Sequence, residues 1–401
     1  MKNKLLTVLR YSRYIYYRYF LNKAFTNNKL YYKLKLTKCM NIKESFFGYY
    51  NLSPQNNNGE TLVCVPNKDD LYIYLKNSEK VQKIYSTNAW NWQQGAMLQW
   101  SPNKNNTIYL NYYCKNTKKY ITNIVNTKSK KIVKTLELPI ACIAKDESYA
   151  LSLNFERLAI MRPDYGYFNN NEVKLPNNNN DGIWKIDIET NRIELIISLN
   201  KLKKLNYVST MDNAEHKVNH IDIAPNGERF MFLHRWKSRG GRYMRLITAD
   251  KEGKNLYILN GDKMTSHSCW WKSDKIISFC STQEFDNNYI VFYDKSMLRE
   301  KLSTKLPSKD GHPSVSPDGR WLITDTYPSY DRNSHLLLYN IENDECFHIG
   351  RFFQPLKYKG SYRIDLHPKW NLDGKKIFFE SGHSGYRNLY SININAIISN
   401  L

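Results

Sequence analysis

Apolar and polar positions alternate in short blocks along most of this chain. Runs rich in aromatic and β-branched residues, such as Phe230-Met-Phe-Leu-His234, Trp321-Leu-Ile-Thr-Asp-Thr326 and Ile377-Phe-Phe-Glu-Ser381, are bounded by Gly, Pro, Asn and Asp. This is the composition of strands closed by tight turns. A further run follows in each case, for example Leu336-Leu-Leu-Tyr-Asn340 and Leu389-Tyr-Ser-Ile-Asn393. Between runs stands a turn of the Ser316-Pro-Asp-Gly319 kind, in which Pro presets φ and Gly accepts the positive φ of a tight reversal. Helical periodicity is absent past about residue 25.

The turn recurs with a fixed phase. Four residues before it stand His220, His267, His312 and His367, which are 47, 45 and 55 residues apart by subtraction. A period of about 40–50 residues is that of propeller blades. Upstream, Ser53-Pro54, Ser101-Pro102 and a degenerate copy at Lys145-Asp146 put Tyr49, Met97 and Ile140 at the same phase. Seven units result, so the fold class expected is an all-β, seven-bladed propeller over residues 39–401, preceded by a short basic N-terminal helical segment, 1–38. The long gap from 140 to 220 holds Asn- and Pro-rich stretches, Asn169 to Asn171 and Pro176 to Asp181, which read as loops over a blade. The last unit has room for about three strands before Leu401, and a strand within Tyr31 to Leu36 would complete it and close the ring.

Residues at one phase of the innermost strands ring the channel of a propeller. Four in-phase histidines on consecutive blades, with none on the three before, therefore predict an off-centre site. Neutral imidazoles are good ligands for a divalent transition metal, so three of the four are metal candidates and the one left over a base or substrate contact. The alternative is a histidine that caps its strand by bonding a neighbouring backbone. His216, His234, His335, His348 and His383 do not share the phase. Nearby in sequence, His234, Arg235 and Arg242 on the fourth unit, Arg363 before His367, and Arg387 after His383 are candidates for holding an acidic sugar, because arginine forks bind carboxylates bidentately. Trp90, Trp92, Gln93 and Gln94 are a sugar-stacking cluster or core.

Composition narrows the setting. The net charge is +22 over 401 residues. Residues 1–38 hold ten Lys and Arg and no acid. An anionic partner fits this charge, but no nucleic-acid-binding motif accompanies it. Seven cysteines without a CxxC pair indicate free thiols in a reducing compartment. Leu5 to Leu21 mixes Leu, Ile, Tyr and Phe with Arg10, Arg13 and Arg18, too charged to span a membrane but suited to a helix at an anionic membrane surface. The expected location is cytoplasmic, peripheral at the inner membrane face if that helix binds lipid.

The segments Gly311-His312-Pro-Ser-Val-Ser-Pro-Asp-Gly-Arg-Trp321, Ser266-His267-Ser-Cys-Trp-Trp271 and Asp365-Leu-His367-Pro-Lys-Trp370 resemble the blades of oligogalacturonate lyase and its TolB/WD40-like propeller relatives, most clearly from about His220 to Tyr390. The resemblance implies a divalent metal, manganese, held mainly by histidines, and β-elimination on a short anionic oligosaccharide of uronic acids. It places His267 and His312 at ligand positions and His220 at a catalytic one, with Arg235 assigned here as the accompanying arginine. The pattern departs from the lyase at Lys309 and Ser314, where that family has Gln and a second His; His367 is the substitute ligand. The rival reading is a non-catalytic propeller scaffold or sugar-binding protein of cell-surface polysaccharide biosynthesis.

Overall fold

The computed structural model describes Ser12 and residues 29–30, 34–261 and 263–398. Its strands form seven separate antiparallel sheets in the order of the chain, which is a seven-bladed propeller. The seven phase positions of the sequence fall one to a blade. Blade four, for instance, is Glu215–Ile223, Arg229–Ser238, Gly241–Asp250 and Tyr257–Asn260, and blade six begins with Ser314–Val315 and Trp321–Asp325. Inner strands such as Trp321–Asp325 are buried on both faces, while the outer Ile132–Leu136 is mostly exposed. The aromatic and aliphatic side chains of neighbouring blades interleave, so the core lies between sheets: one cluster runs from Phe46 and Leu62 to Phe378 and Leu389.

Ring closure follows the expected logic with a shifted register. The three C-terminal strands of blade seven, Lys369–Trp370, Lys376–Ser381 and Asn388–Asn393, are joined by Leu36–Lys38, with Leu36 opposite Ile392 and Lys38 opposite Tyr390. Lys29–Leu30 adds a fifth strand to blade six, beside Arg351 and Gly350. The chain therefore enters the propeller before residue 39. The expected N-terminal helix and its membrane contact lie outside the described residues. No helix among those described is long and apolar enough to cross a membrane.

The long gap in blade three is only partly loop. Between Tyr149–Leu153 and Gly182–Asp187 stands a helix, Phe155–Met161, followed by the 3-10 turn Pro163–Tyr165. The Asn154 side chain accepts from Arg157 N at the helix start, and Pro163 cannot continue the helix. Two turns of helix are too short for periodicity to reveal them. Arg157 anchors the insert, donating to Asp181 at 2.6 Å and to the carbonyls of Pro176 and His216. A second helix, Leu199–Lys204, is capped by Ser198.

Candidate functional site

The four in-phase histidines converge. Ring centroids are 4.0 Å apart for His267 and His312, 4.4 Å for His312 and His367, and 5.5 Å for His220 and His267. His267, His312 and His367 are buried, and His220 is half-buried. His220 and His367 hold left-handed backbone, φ 53° and 45°, a conformation that non-glycine residues adopt rarely and that the surrounding fold must enforce. The same phase on blade one brings Tyr49 into the group. Its hydroxyl lies 2.7 Å from His220 Nδ1, and its ring is 5.1 Å from that of His367. Tyr50, next in sequence, donates to the Ser268 carbonyl at 2.8 Å.

Carboxylates behind the histidines orient them. Asp325, at the end of the second strand of blade six, is 2.8 Å from His312 Nδ1 and accepts from the backbone N–H groups of His312 and His367. It thus joins blades six and seven. Asp310 is 3.2 Å from His267 Nδ1 and accepts from Ser266 Oγ. Asp365 accepts from Arg363 Nε through Oδ2 at 2.9 Å. Arg363 also donates to Asp164 of the blade-three insert at 2.6 Å. Gly311 permits this packing, since a Cβ there would stand 1.8 Å from the Asp325 carbonyl oxygen.

What remains unpaired defines the centre. His312 Nε2, both ring nitrogens of His367 and Asp365 Oδ1 are buried without a hydrogen-bond partner. His312, Asp365 and His367 offer ligand atoms that all lie within 4.8 Å of one another. His312, whose second nitrogen is held by Asp325, together with the unpaired His367 ring and the free Asp365 oxygen, is a donor set that fits a divalent metal. Electrostatics agree. Burial, with the neighbouring cations, pushes His220 and His367 well below the usual imidazole pKa, and burial lowers His267 as well. Burial also opposes charge on His312, but Asp325, Asp365 and Asp310 outweigh it and its pKa is raised. Most of the ring is therefore neutral at pH 7, the form that ligates metal.

The remaining candidates divide. Arg235 stands beside His220 and donates to the Thr265 carbonyl, and burial draws its pKa down to about 10. Arg363 enters through Asp365. Arg242 lies on a cleft of blade four, where it lines the wall with Arg235. His267 is the ring neighbour of His312 but stands outside the tight triad. His234 is buried in blade four, 2.9 Å from His216 and beside Arg245. Arg387 is buried at the blade seven–blade one junction and donates to Glu380 and to backbone carbonyls of Trp92, Tyr362 and Arg363. Neither reaches the ring. Trp92 packs on Tyr362 and under Arg387, and Gln93 donates to the carbonyls of Ser361 and Arg363; this cluster is packing. Asp365, Asp325, Asp310 and Tyr49 are the residues that sequence reasoning missed as site groups. Asp310-Gly-His312 and Asp365-Leu-His367 repeat one Asp-x-His pattern on consecutive blades, and that repeat was the available signal.

No protein-family model and no curated protein sequence matches the chain. Among solved structures, oligogalacturonate lyase from Vibrio parahaemolyticus superposes with a TM-score of 0.64 at 12% identity, covering 92% of this chain and 96% of that one. An oligogalacturonate lyase in complex with manganese gives 0.63 at 14% identity with the same coverage. TolB from Acinetobacter baumannii is less similar, 0.39 at 12% identity over 73% of this chain and 63% of that one. The chain is a divergent seven-bladed propeller with the fold of oligogalacturonate lyase.

Proposed function

We propose that this protein binds a short acidic oligosaccharide at the histidine ring, with a divalent metal, manganese, held by His312, Asp365 and His367, and cleaves it by β-elimination. The observation that carries the reading is the set of buried ligand atoms left without partners on those three residues. The fold shared with a lyase whose structure holds manganese supports it. A metal bound there supplies Lewis acidity toward the substrate carboxylate. Arg235, beside the ring, holds and neutralises that carboxylate, which acidifies the adjacent C–H. His220 is kept neutral by burial. With its Nδ1–H donated in a hydrogen bond to the Tyr49 oxygen, its Nε2 is the free base that takes the substrate proton; the C–H electron pair forms the double bond and the glycosidic oxygen leaves with the C–O pair. Arg363 holds one oxygen of Asp365 and leaves the other turned to the centre.

The Pro163–Tyr165 turn lies over this group. Tyr165 is edge-on to Tyr49 and His220, and Asp164 is tied to Arg363. A saccharide reaches the buried histidines by displacing this insert.

Metal content of the purified chain is the direct test, comparing wild type with His312→Ala and His367→Ala. Stoichiometric manganese lost in both variants, with unsaturated products from short uronate oligomers in wild type only, is the expected result. A wild type that takes up no metal on loading sinks the reading.

A further inference from the structure

Beside the ring, between the blade-three insert and blade four, the surface opens into a cleft of ≈ 370 Å³. Its walls carry Arg162, Lys217, Arg235, Lys237 and Arg242, against the single acid Glu215. Among the described residues, no carboxylate pairs with Lys217, Arg235, Lys237 or Arg242, and Arg162 meets Asp164 only at 4.0 Å. The Nε atoms of Arg162 and Arg235 are buried without partners. Lys217 is 8% exposed, and its amine donates to the Met161 carbonyl at 2.9 Å. Cations so close, several of them shielded from water, repel one another unless an anion joins them.

The amine of Lys217 reports that missing charge. Burial, and then Arg235, Arg162 and Arg242, lower its pKa to about 7, with Glu215 the one group acting the other way. One carboxylate would bring a single negative charge to this cluster. A phosphate ester brings about −1.5 to −2 with three acceptor oxygens, and arginine forks with a lysine point charge are the groups that receive it. Trp236 and Tyr243 stack at 5.7 Å and 15° on the cleft wall. Both also line a larger groove of ≈ 950 Å³ that runs on from the cleft.

We propose that this cleft is a binding site for a phosphate ester, its dianionic head among Arg162, Lys217 and Arg242 and its organic remainder along Trp236 and Tyr243 into the neighbouring groove. The site stands apart from the metal triad and does not depend on metal or on lyase activity.

Calorimetric titration of the full chain with inorganic phosphate, without added metal, tests it. Wild type binds phosphate, and Arg242→Ala, an exposed position that the fold tolerates, weakens binding roughly tenfold, the loss of one charge-assisted contact. Galacturonate at equal concentration leaves phosphate in place. Sulfate stays doubly charged across neutral pH and isolates the amine: its affinity falls in wild type as pH rises through about 7, and Lys217→Arg abolishes that fall. Phosphate binding that is absent in wild type or unchanged in Arg242→Ala overturns the proposal. So does displacement by galacturonate, which would make the cleft an arm of the saccharide site. A pH dependence that survives in Lys217→Arg removes Lys217 from the anion's partners.

Discussion

Blade seven holds two buried polar centres built on opposite rules. At its junction with blade one, Glu380, Lys369 and Arg387 are all at most 1% exposed. Glu380 accepts from Phe47 N, Gly48 N and Arg387, and lies 3.6 Å from Lys369. Lys369 donates to the Gly48 carbonyl, and Arg387 to three more carbonyls. Here charge is answered almost entirely inside the protein, and the bonds cross the seam where the ring closes. On the channel side, His312, Asp365 and His367 are equally buried yet keep unpaired ligand atoms turned toward one another. The first centre meets its charge within the fold, leaving only Arg387 Nε unpaired. The second keeps unpaired atoms inside the fold, which is the arrangement the proposed metal site calls for.

The sharpest way to break this contrast is to remove one charge from each centre. Glu380→Ala leaves Arg387 and Lys369 buried without their counter-charge, and we expect a loss of about 3–5 kcal/mol in chemical denaturation. Asp365→Asn removes a charge paired with Arg363 through Oδ2 alone, and Arg363 keeps Asp164, so the metal-free chain should lose far less. Equal losses would mean that the histidine centre is a structural knot like the other. Metal supplies the second largest effect. Manganese at a hundredfold its Kd should stabilise wild type by about 2.7 kcal/mol, read as a raised Tm that EDTA reverses and that His367→Ala lacks.

Protonation sharpens the comparison on a third cluster. His216 is fully buried in blade four, 2.9 Å from His234, and burial lowers its pKa from 6.5 to about 4. Two protonated rings there would oppose N–H to N–H. The unfolded chain takes up a proton near pH 6.5 that the folded chain refuses until about 4. Stability is therefore full above pH 6.5 and falls as pH drops toward 4, by about 2 kcal/mol between pH 7 and 5 for this residue. Denaturation curves across that interval for wild type and His216→Gln measure it; a wild type flat over the interval, or a His216→Gln variant with the same slope, contradicts the burial argument.

The propeller was legible because its signals are local and repeated. One turn and one phase, copied from Tyr49 to His367, set blade number and order, and strand composition did the rest. The ring was legible because phase converts to position around a channel. What the sequence hid is non-periodic. The helix at Phe155–Met161 is two turns long, and blade one replaces a regular inner strand with isolated bridges, Phe46 to Cys64 and Gln55 to Thr61. His234 and Arg387 look like site residues because arginine and histidine carry the same chemistry in a core as in a channel. Only the carbonyls and rings around them show that both ring nitrogens of His234 and both Nη groups of Arg387 are already committed. Asp365 escaped because a carboxylate has no phase of its own until it is read together with the histidine two positions on.

Tyr49 tests how far phase alone assigns a role. It sits where a histidine would on blade one, and burial holds its hydroxyl protonated, well above the ordinary tyrosine range. Its oxygen meets His220 Nδ1 at 2.7 Å and in the proposed chemistry accepts the hydrogen bond of that nitrogen's N–H. Tyr49→Phe deletes one hydrogen bond and no packing volume of consequence, so stability should fall by only about 1 kcal/mol. The informative readout is the ring of His220. Its nitrogen chemical shifts should move toward a mixture of tautomers once Nδ1 has lost its partner, and turnover should fall with little change in KM. Unaltered shifts would mean that the tautomer is set elsewhere, and blade one would then contribute shape to the ring but no chemistry.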